Sequence, residues 1–211
     1  MARQISEPRR EAPAIDDLPA SQRARRDRIV DTAVELLATD DYEKIHMRMV
    51  ADRAGVALGT LYRYFPSKER LFAAALIRWA QTFEQNYERT IRMAETDPVA
   101  RLRRTLGVML KAFERSPRFF GLMIVLQSSD DPEVAGLLGR FSGTTSGVVH
   151  DALEGIDPHW VEPIETLVWA AVFQLLRSWS LGTRTMAEVR RRLDECVDLI
   201  FTDPTRSAPP G

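Results

Sequence analysis

Thr60, Tyr62, Arg63 and Tyr64 crowd one short stretch, with Arg48 before it and Lys68 after it. Hydroxyl and phenol groups reach phosphate oxygens, and an arginine can address a guanine edge with two donors. These residue types suit the surface of double-stranded DNA. On the residues alone a second account stays open, in which the tyrosines of a structural helical hairpin pack against their neighbours. Catalysis finds little material here. The histidines are His46, His150 and His159, in no metal-binding or triad-like spacing. Cys196 falls on the apolar side of a helix, which suits an inert core thiol. Asp130, Asp131 and Glu133 fit a helix start better than a carboxylate pair. No glycine-rich phosphate loop follows a strand. Neither an enzyme nor a metal or cofactor is expected.

The stretch MRMVADRAGVALGTLYRYFPSK, Met47 to Lys68, holds these groups in place. Its spacing predicts a first helix over 48–54, with Met49, Val50 and Ala54 inward and Arg48, Asp52 and Arg53 outward. Gly55 suits a left-handed helix end, and Val56 fills the angle that follows. A second helix over 58–65 opens on Leu58 and Gly59 and sets Leu61 and Phe65 inward. Thr60, Tyr62, Arg63 and Tyr64 are left pointing outward. Pro66 stops this helix, and Ser67 can cap the next. Two helices joined by a short glycine turn form a helix-turn-helix, whose second helix suits the major groove.

Around that module the pattern is helical throughout, and about nine helices are expected in an all-α chain. Residues 1–20 carry prolines among charges and read as a disordered arm, and 204–211 as a disordered tail. A helix over 21–39 repeats Ile29, Val30, Ala33, Val34 and Leu37. Arg23, Arg25, Arg26 and Arg28 in its first turns oppose the helix dipole, so phosphate contact competes there with plain solvation. A long helix from Ser67 to about Thr96 has Leu71, Phe72, Ala75, Leu76, Trp79, Phe83 and Tyr87 on its apolar side. Asp97-Pro98, Asp131-Pro132 and Asp157-Pro158 each begin a helix, since Asp caps and Pro takes the first position. Ser116-Pro117 separates a short helix over 118–125. Gly182 ends another, and Thr185 with Glu188 forms a capping box for the last, which runs to about Phe201. The domains expected are 21–68 for the helix-turn-helix and 69–203 for the remainder.

Two clusters in the second domain invite a function. Phe83, Met109, Phe113, Phe120, Met123, Phe141 and Trp169 are large and apolar, as are Phe119 and the stripe around them. They suit ordinary core and equally the lining of an apolar cavity. The run from Phe141 to Gly147 mixes glycine, threonine and serine in a helix. It suits either a yielding ligand-facing segment or a close approach of helices. The helix over 163–181 is apolar nearly all round, with Ile164, Leu167, Val168, Ala171, Leu175 and Trp179 on one side. Trp169, Val172, Phe173 and Leu176 form a second flank, so both sides need cover. With Leu193 and Val197 of the last helix, the residues Val172, Phe173 and Leu176 are the expected dimerisation surface. Simple core packing is the alternative.

Hydrophobic residues make up 45% of the 211 and charged residues 28%, which gives ample core. A net charge of −1 argues against a generally basic coat, but a sequence-specific binder needs only a local basic face. No N-terminal apolar run and no apolar stretch near about 18 residues are present, so neither a signal peptide nor a membrane span is expected. The single Cys196 leaves no intrachain disulfide and suits a reducing cytoplasm.

The pattern Val50-Ala51…Ala54-Gly55-Val56…Gly59-Thr60-Leu61-Tyr62…Tyr64-Phe65…Ser67-Lys68…Leu71 closely resembles the DNA-binding domain of the TetR family of bacterial repressors. Within that family, Tyr42 to Lys68 looks like the actinobacterial repressors of cholesterol catabolism. The likeness resumes weakly at Val168-Trp169, Leu175-Leu176 through Trp179, and Arg192 to Ile200. Two departures stand out: Met47 and Ala57 occupy places where many members carry a Thr and a Ser. The resemblance implies a cytoplasmic transcriptional repressor that pairs as a homodimer through its last two helices. It further implies an operator of double-stranded DNA and an apolar small-molecule effector, sterol-derived or an acyl-CoA. Arg48 matches a base-contacting position of the family, and Leu58, Gly59, Thr60, Tyr62, Arg63, Tyr64 and Lys68 complete the expected DNA contacts. Arg101, Arg103 and Arg104 could meet an anionic end of the effector, with solvated charge as their plainer role. An all-α scaffold or interaction protein without DNA binding is the alternative.

Overall fold

Asp97, Asp131 and Asp157 each stand immediately before a proline, and each begins a helix by accepting a backbone N–H with its carboxylate. Asp97 takes the N–H of Ala100 at 2.8 Å, Asp131 that of Glu133 at 3.0 Å, and Asp157 that of His159 at 2.9 Å. At the last helix Thr185 and Glu188 exchange two bonds, Thr185 N–H to Glu188 Oε2 at 2.7 Å and Glu188 N–H to Thr185 Oγ1 at 3.2 Å. Ser67 Oγ accepts from Arg70 N–H at 3.2 Å and starts the long helix. These caps satisfy donors that a helix cannot satisfy internally.

A computed structural model describes residues 19–90 and 97–202, without the side chains of 83–90. Most of the arm over 1–20, all of the tail over 204–211, and the side chains of Phe83 and Tyr87 lie outside the described residues. The described residues form nine α-helices and no strand. They are α1 (Ala20–Thr39), α2 (Met47–Ala54), α3 (Leu58–Tyr64), α4 (Lys68–Thr90), α5 (Pro98–Arg115), α6 (Pro117–Leu126), α7 (Pro132–Ala152), α8 (Pro158–Ser180) and α9 (Met186–Phe201). A 3-10 turn, Tyr42–Lys44, joins α1 to α2.

Helix α1 packs against α4 and carries α2, which in turn carries α3; α5, α6 and α7 pack on α4 from the other domain, and α8 and α9 complete the bundle against them. From Leu71 to Ile77 every residue of α4 is buried, including Ala73, Ala74 and Ala75. A single apolar stripe was expected there. Short alanine side chains let neighbouring helices approach that segment from all sides. Tyr42 meets Phe72 edge-on at 5.2 Å between centroids, on the side of the DNA module. Trp79, two turns on, stacks on Phe119 at 4.7 Å on the side of the bundle. The helix therefore belongs to both cores, and the expected boundary at 68/69 falls at its first residue.

The phase of the two short helices differs from expectation. Met47, Val50, Ala51 and Ala54 form the buried side of α2, at steps of three and four, while Met49 is 39% exposed. In α3 the buried side is Leu61, Tyr64 and Phe65, and Tyr64 is only 5% exposed. A helix of two turns contains too few apolar positions to fix its own phase. The pattern of its neighbours decides.

Gly55 holds φ +66°, and a Cβ built there meets nothing within 4 Å. Its requirement is therefore conformational alone. Gly55→Ala should cost about 1–2 kcal/mol, the price of a left-handed non-glycine residue. Urea unfolding should show that loss as a lower midpoint with an unchanged slope.

Candidate nucleic-acid interface and internal cavity

The helix pair α2–α3 presents its polar residues on one outer surface. Arg48 is exposed in the first turn of α2 and has no acidic partner among the described residues. On α3, Tyr62 is 45% exposed, Arg63 and Gly59 are exposed, and Leu58 and Thr60 are half-buried. The Arg63 guanidinium lies 5.3 Å from the centroid of the Tyr64 ring. Tyr64 itself departs from the expected outward placement. Its ring is in the core, and its hydroxyl is buried without a hydrogen-bond partner among the described residues. Arg26 of α1 covers the Phe65 ring at 4.9 Å, and burial lowers its pKa from the usual arginine value. Arg23 and Arg28 beside it are exposed.

Lys68 is less available than the sequence suggests. Its Nζ donates to the Tyr42 carbonyl and sits 4.0 Å from the centre of the Tyr42 ring. Burial lowers its pKa, against a smaller opposing pull from Glu43. The Tyr42 phenol is pushed up to about 12, first by burial and then by Glu69 and Glu43. Neither α2 nor α3 carries a side-chain cap. The residues at the cap positions are His46 and Ala57, and neither side chain accepts a bond. Met47, which stands where a capping threonine is common in the family, is instead a buried member of the α2 core face.

Gly59 is the most telling residue of this surface. It lies inside a seven-residue helix, where glycine is about 0.5–1 kcal/mol worse than alanine. A Cβ at Gly59 meets nothing within 4 Å. The same holds for the other helical glycines, and what sets Gly59 apart is its exposed place at the leading end of α3, where a body approaching from outside would meet backbone.

In the bundle, α5, α6, α7 and α8 line a cavity of about 470 Å³ that is partly open to solvent beside Ser142, Glu162 and Thr166. Of the residues expected to line such a space, Met109, Phe113, Phe120, Met123, Phe141 and Trp169 all do so. Phe83 is outside the described side chains. The volume lies within the range of small-molecule sites. Aromatic contacts run from this wall to α4: Phe173 to Phe120 at 6.0 Å, Phe120 to Phe113 at 5.7 Å, and Phe113 to Trp79 at 5.0 Å. The run from Phe141 to Gly147 is helical, and Phe141, Ser142, Thr145 and Ser146 face the cavity. Close helix approach does not explain its glycines, because a Cβ at Gly143 or Gly147 meets nothing within 4 Å.

Sequence reasoning missed a set of polar lining residues, Gln127, Glu162, Glu165 and Thr166. The signal was present on α8. Glu162, Glu165, Trp169, Val172 and Leu176 recur at steps of three and four and belong to one face with the apolar residues. The arginines expected near the cavity are engaged elsewhere. Arg101 is 7% exposed, and its guanidinium donates to the carbonyls of Ala152, at 2.9 Å, and Glu154, closing the end of α7. Arg103 pairs with Asp194, at 3.0 Å, and with Asp198. Arg104 is exposed.

The expected dimerisation residues also move. Val172, Leu176, Leu193 and Val197 are buried in the chain's own core, and Phe173 packs on Phe120 at the cavity wall. What α8 and α9 leave uncovered is other apolar residues, with Leu167 53% and Leu199 77% exposed. Leu175, two turns after Leu167, is half-buried. A helix that is apolar nearly all round offers two faces, and the sequence does not say which turns inward.

No described residues form a group of three or more metal-binding side chains, and no described helix is long and apolar enough to cross a membrane. Residues 29–75 match the family model "Bacterial regulatory proteins, tetR family". Over 187 residues the chain is 30% identical to the HTH-type transcriptional repressor KstR of Mycobacterium tuberculosis, covering 87% of this chain and 83% of that one. The crystal structure of a TetR transcriptional regulator from Rhodococcus sp. RHA1 superposes with a TM-score of 0.74 at 23% identity, over 87% of this chain and 99% of that one. Thermus thermophilus FadR in complex with lauroyl-CoA superposes with a TM-score of 0.67 at 17% identity, over 88% of this chain and all of that one (100%). At these identities the two structures speak for the fold alone.

Gly59→Ala separates a packing role from an interface role. The variant should be more stable by about 0.5–1 kcal/mol in thermal or urea unfolding. Its affinity for specific DNA should fall, because the added methyl occupies the surface that the duplex approaches. Unchanged DNA affinity in the stabilised variant would remove Gly59 from the interface.

Proposed function

This chain belongs to the TetR family of transcriptional repressors, and we propose that it binds a near-palindromic operator as a two-fold dimer and is released when an apolar effector fills the cavity. The observation that carries the proposal is the pairing of an outward α3 face, with Gly59 bare and Arg63 and Tyr62 exposed, to a partly open cavity joined to α4 by aromatic contacts. The division of labour would place operator reading in 21–68 together with the first turns of α4, and effector binding and pairing in 69–203. DNA being its target, the protein would act in the cytoplasm.

Arg48 and Arg63 have the donor geometry for base edges, and Thr60 and Tyr62 for phosphate. Leu58 and Gly59 lie at the leading end of α3, where the backbone can come close. Lys68 reaches phosphate only by leaving Tyr42, so its contribution is smaller than that of an idle lysine. Tyr64 acts through the core, setting the pitch of α3. A single seven-residue helix reads too few bases for useful specificity, and two of them, about 34 Å apart or a multiple of that, double the reading. For pairing, the face carrying Leu167, Leu175 and Leu199 is the favoured surface, since it is the apolar part of α8 and α9 that the chain does not cover itself. A sterol-derived compound suits the apolar lining. An acyl-CoA is the second candidate, prompted by the neighbour that holds lauroyl-CoA.

A gel-shift against DNA upstream of the gene, with and without candidate effectors, tests the whole proposal. Within it, Arg48→Ala should lose about 1–3 kcal/mol of specific binding and relax one operator position. Lys68→Ala should instead weaken all sequences alike and flatten the salt dependence by at most about one unit of slope. Equal losses on operator and random DNA for Arg48→Ala would overturn its base-reading role.

Pairing has its own measurement. Leu167→Glu places charge at an exposed position and Leu175→Glu at a half-buried one on the edge of the core, so light scattering should find monomers, with the melting curve of each showing that it is folded. Leu176→Glu, by contrast, should unfold the chain, because Leu176 is 1% exposed. A persistent dimer in both of the first two variants would move the interface off α8.

A further inference from the structure

The cavity lining combines large apolar residues, Met109, Phe113, Phe120 and Leu176 among them, with a set of hydrogen-bond acceptors. Thr145 Oγ1 donates to the carbonyls of Phe141 and Ser142, both at 3.1 Å. Thr166 Oγ1 likewise donates to the Glu162 carbonyl at 3.0 Å. With their protons committed to their own helices, both hydroxyls are left to accept. The Glu162 and Glu165 carboxylates only accept when ionised. Glu165 also meets His150 Nδ1 at 2.9 Å, outside the lining. No lysine, arginine or histidine is among the lining residues. Of the arginines of α5 and α6, Arg101 is held by Ala152 and Glu154, Arg103 by Asp194 and Asp198, and Arg118 by Asp41, while the exposed Arg104 and Arg115 are not among the lining residues.

Gln127, Ser142 and Ser146 can also donate, but they are exposed or half-buried and water can serve them; one lining donor is both buried and unmet. The indole N–H of Trp169, a lining residue, is buried and finds no acceptor among the described residues. An indole nitrogen can only donate, so it needs an acceptor that the chain does not provide. Glu165 precedes it by one turn on α8, so an acceptor and an unmet donor lie close together on one face.

Resting on the cavity as the effector site, we propose that the effector is an uncharged apolar body ending in a hydroxyl, which accepts from Trp169 Nε1 and donates to Glu162 or Glu165. Other head groups fail on one side or the other. A carboxylate meets two carboxylates and no cation, and so do the phosphates of a coenzyme A ester. An ammonium satisfies the glutamates and leaves the indole unmet. A ketone satisfies the indole and gives the glutamates nothing. A hydroxyl does both.

The test is calorimetric titration of the full chain with probes that share a skeleton and differ only in head group. One set carries an alcohol, ketone, amine or carboxylate on a steroid skeleton. A second set is dodecanol, dodecylamine and dodecanoate, with lauroyl-CoA as the thioester, and comparison of the two sets tells a rigid ring body from a flexible chain. The alcohol should bind at least about tenfold tighter than the carboxylate and the thioester. Trp169→Phe should weaken alcohol and ketone about tenfold and leave the amine unchanged. Glu162→Gln with Glu165→Gln should raise carboxylate affinity about tenfold and hardly change the alcohol, because the glutamine oxygen still accepts. Unchanged melting of the unliganded variants guards against misfolding. Preference of the wild type for the carboxylate or lauroyl-CoA would overturn the head-group assignment and leave the cavity as the effector site. Equal weakening of every head group by Trp169→Phe would reduce Trp169 to a packing surface and overturn it too. Binding of no probe in either set would remove the cavity as the effector site, and this inference with it.

Discussion

Burial of α4 on every side between Leu71 and Ile77 is the constraint on which the rest depends. An amphipathic helix can slide or roll on one partner while its free face stays in water. A helix enclosed all round can move only if its neighbours move with it, because protein interiors have the density of crystals and leave no slack. Here those neighbours come from two places. Tyr42 and α1 press on it from the DNA module, and Phe119, Phe113 and α7 from the bundle. The two domains are thus less like beads on a rod than like two cores with a shared element.

Polar ties reinforce the same junction. Arg70, in the first turn of α4, holds Asp131 through two bonds of 2.7 and 3.0 Å, and both side chains are largely buried. The bond to Asp131 raises the Arg70 pKa above the usual arginine value. A two-pronged guanidinium–carboxylate contact is strong and directional. Asp131 is at the same time the cap of α7, so one carboxylate fixes both the start of that helix and its register on α4. Arg118 at the start of α6 does the matching task on the other side, meeting Asp41 at 3.1 Å and the Ala38 carbonyl at 3.0 Å. Helices that line the cavity are therefore anchored, at their N-terminal ends, to the module that carries α3.

Helix ends were legible in the sequence because capping is local chemistry. An Asp before a Pro, a Gly after an apolar run, and a Thr three residues before a Glu each determine an end without knowledge of the fold. Helix phase was legible only where a helix was long. In α5 the stripe through Met109 and Phe113 was unambiguous, whereas Met49 and Tyr64 sit in helices of two turns and turned the other way. Tyr64 adds a second difficulty, since a phenol reads as a polar tip even when its ring is needed as core. The cavity illustrates the same division. Its large apolar residues were recognisable by type, but Glu162, Glu165 and Thr166 read as ordinary helix surface until α8 was seen against α7. Likewise the difference between Leu176, buried within the chain, and Leu175, near the open face, is one residue of helical rotation. Only the positions of the helices packed around α8 determine it.

These connections limit how an effector can act. Turning a population from 99:1 in favour of the DNA-competent arrangement to the reverse takes about 5.5 kcal/mol of differential binding. At about 25 cal/mol per Å² that corresponds to about 220 Å² of apolar surface buried in one arrangement and not in the other. A molecule able to fill the cavity has that much surface, so affinity is not the difficulty. Differential contact is. A ligand that packs equally well in both arrangements shifts nothing, however tightly it binds. The wall must therefore change shape between states, and the place where it can do so is narrow. Phe113 and Phe120 abut both the cavity and, through Trp79 and Phe119, the enclosed helix. The α7 wall between Phe141 and Ser146 is the other candidate, being glycine-bearing and solvent-facing on its far side. Movement of α7 alone would strain its Asp131 cap against Arg70, and movement of the aromatic cluster alone would strain the Trp79 stack. A displacement that carries α4 along relieves both. It would also tilt α3, whose Phe65 end is separated from α4 only by Pro66 and Ser67. If an effector in the cavity releases DNA as proposed, it would have to do so by one concerted shift of α4 and α7, driven from the cavity and felt at α3.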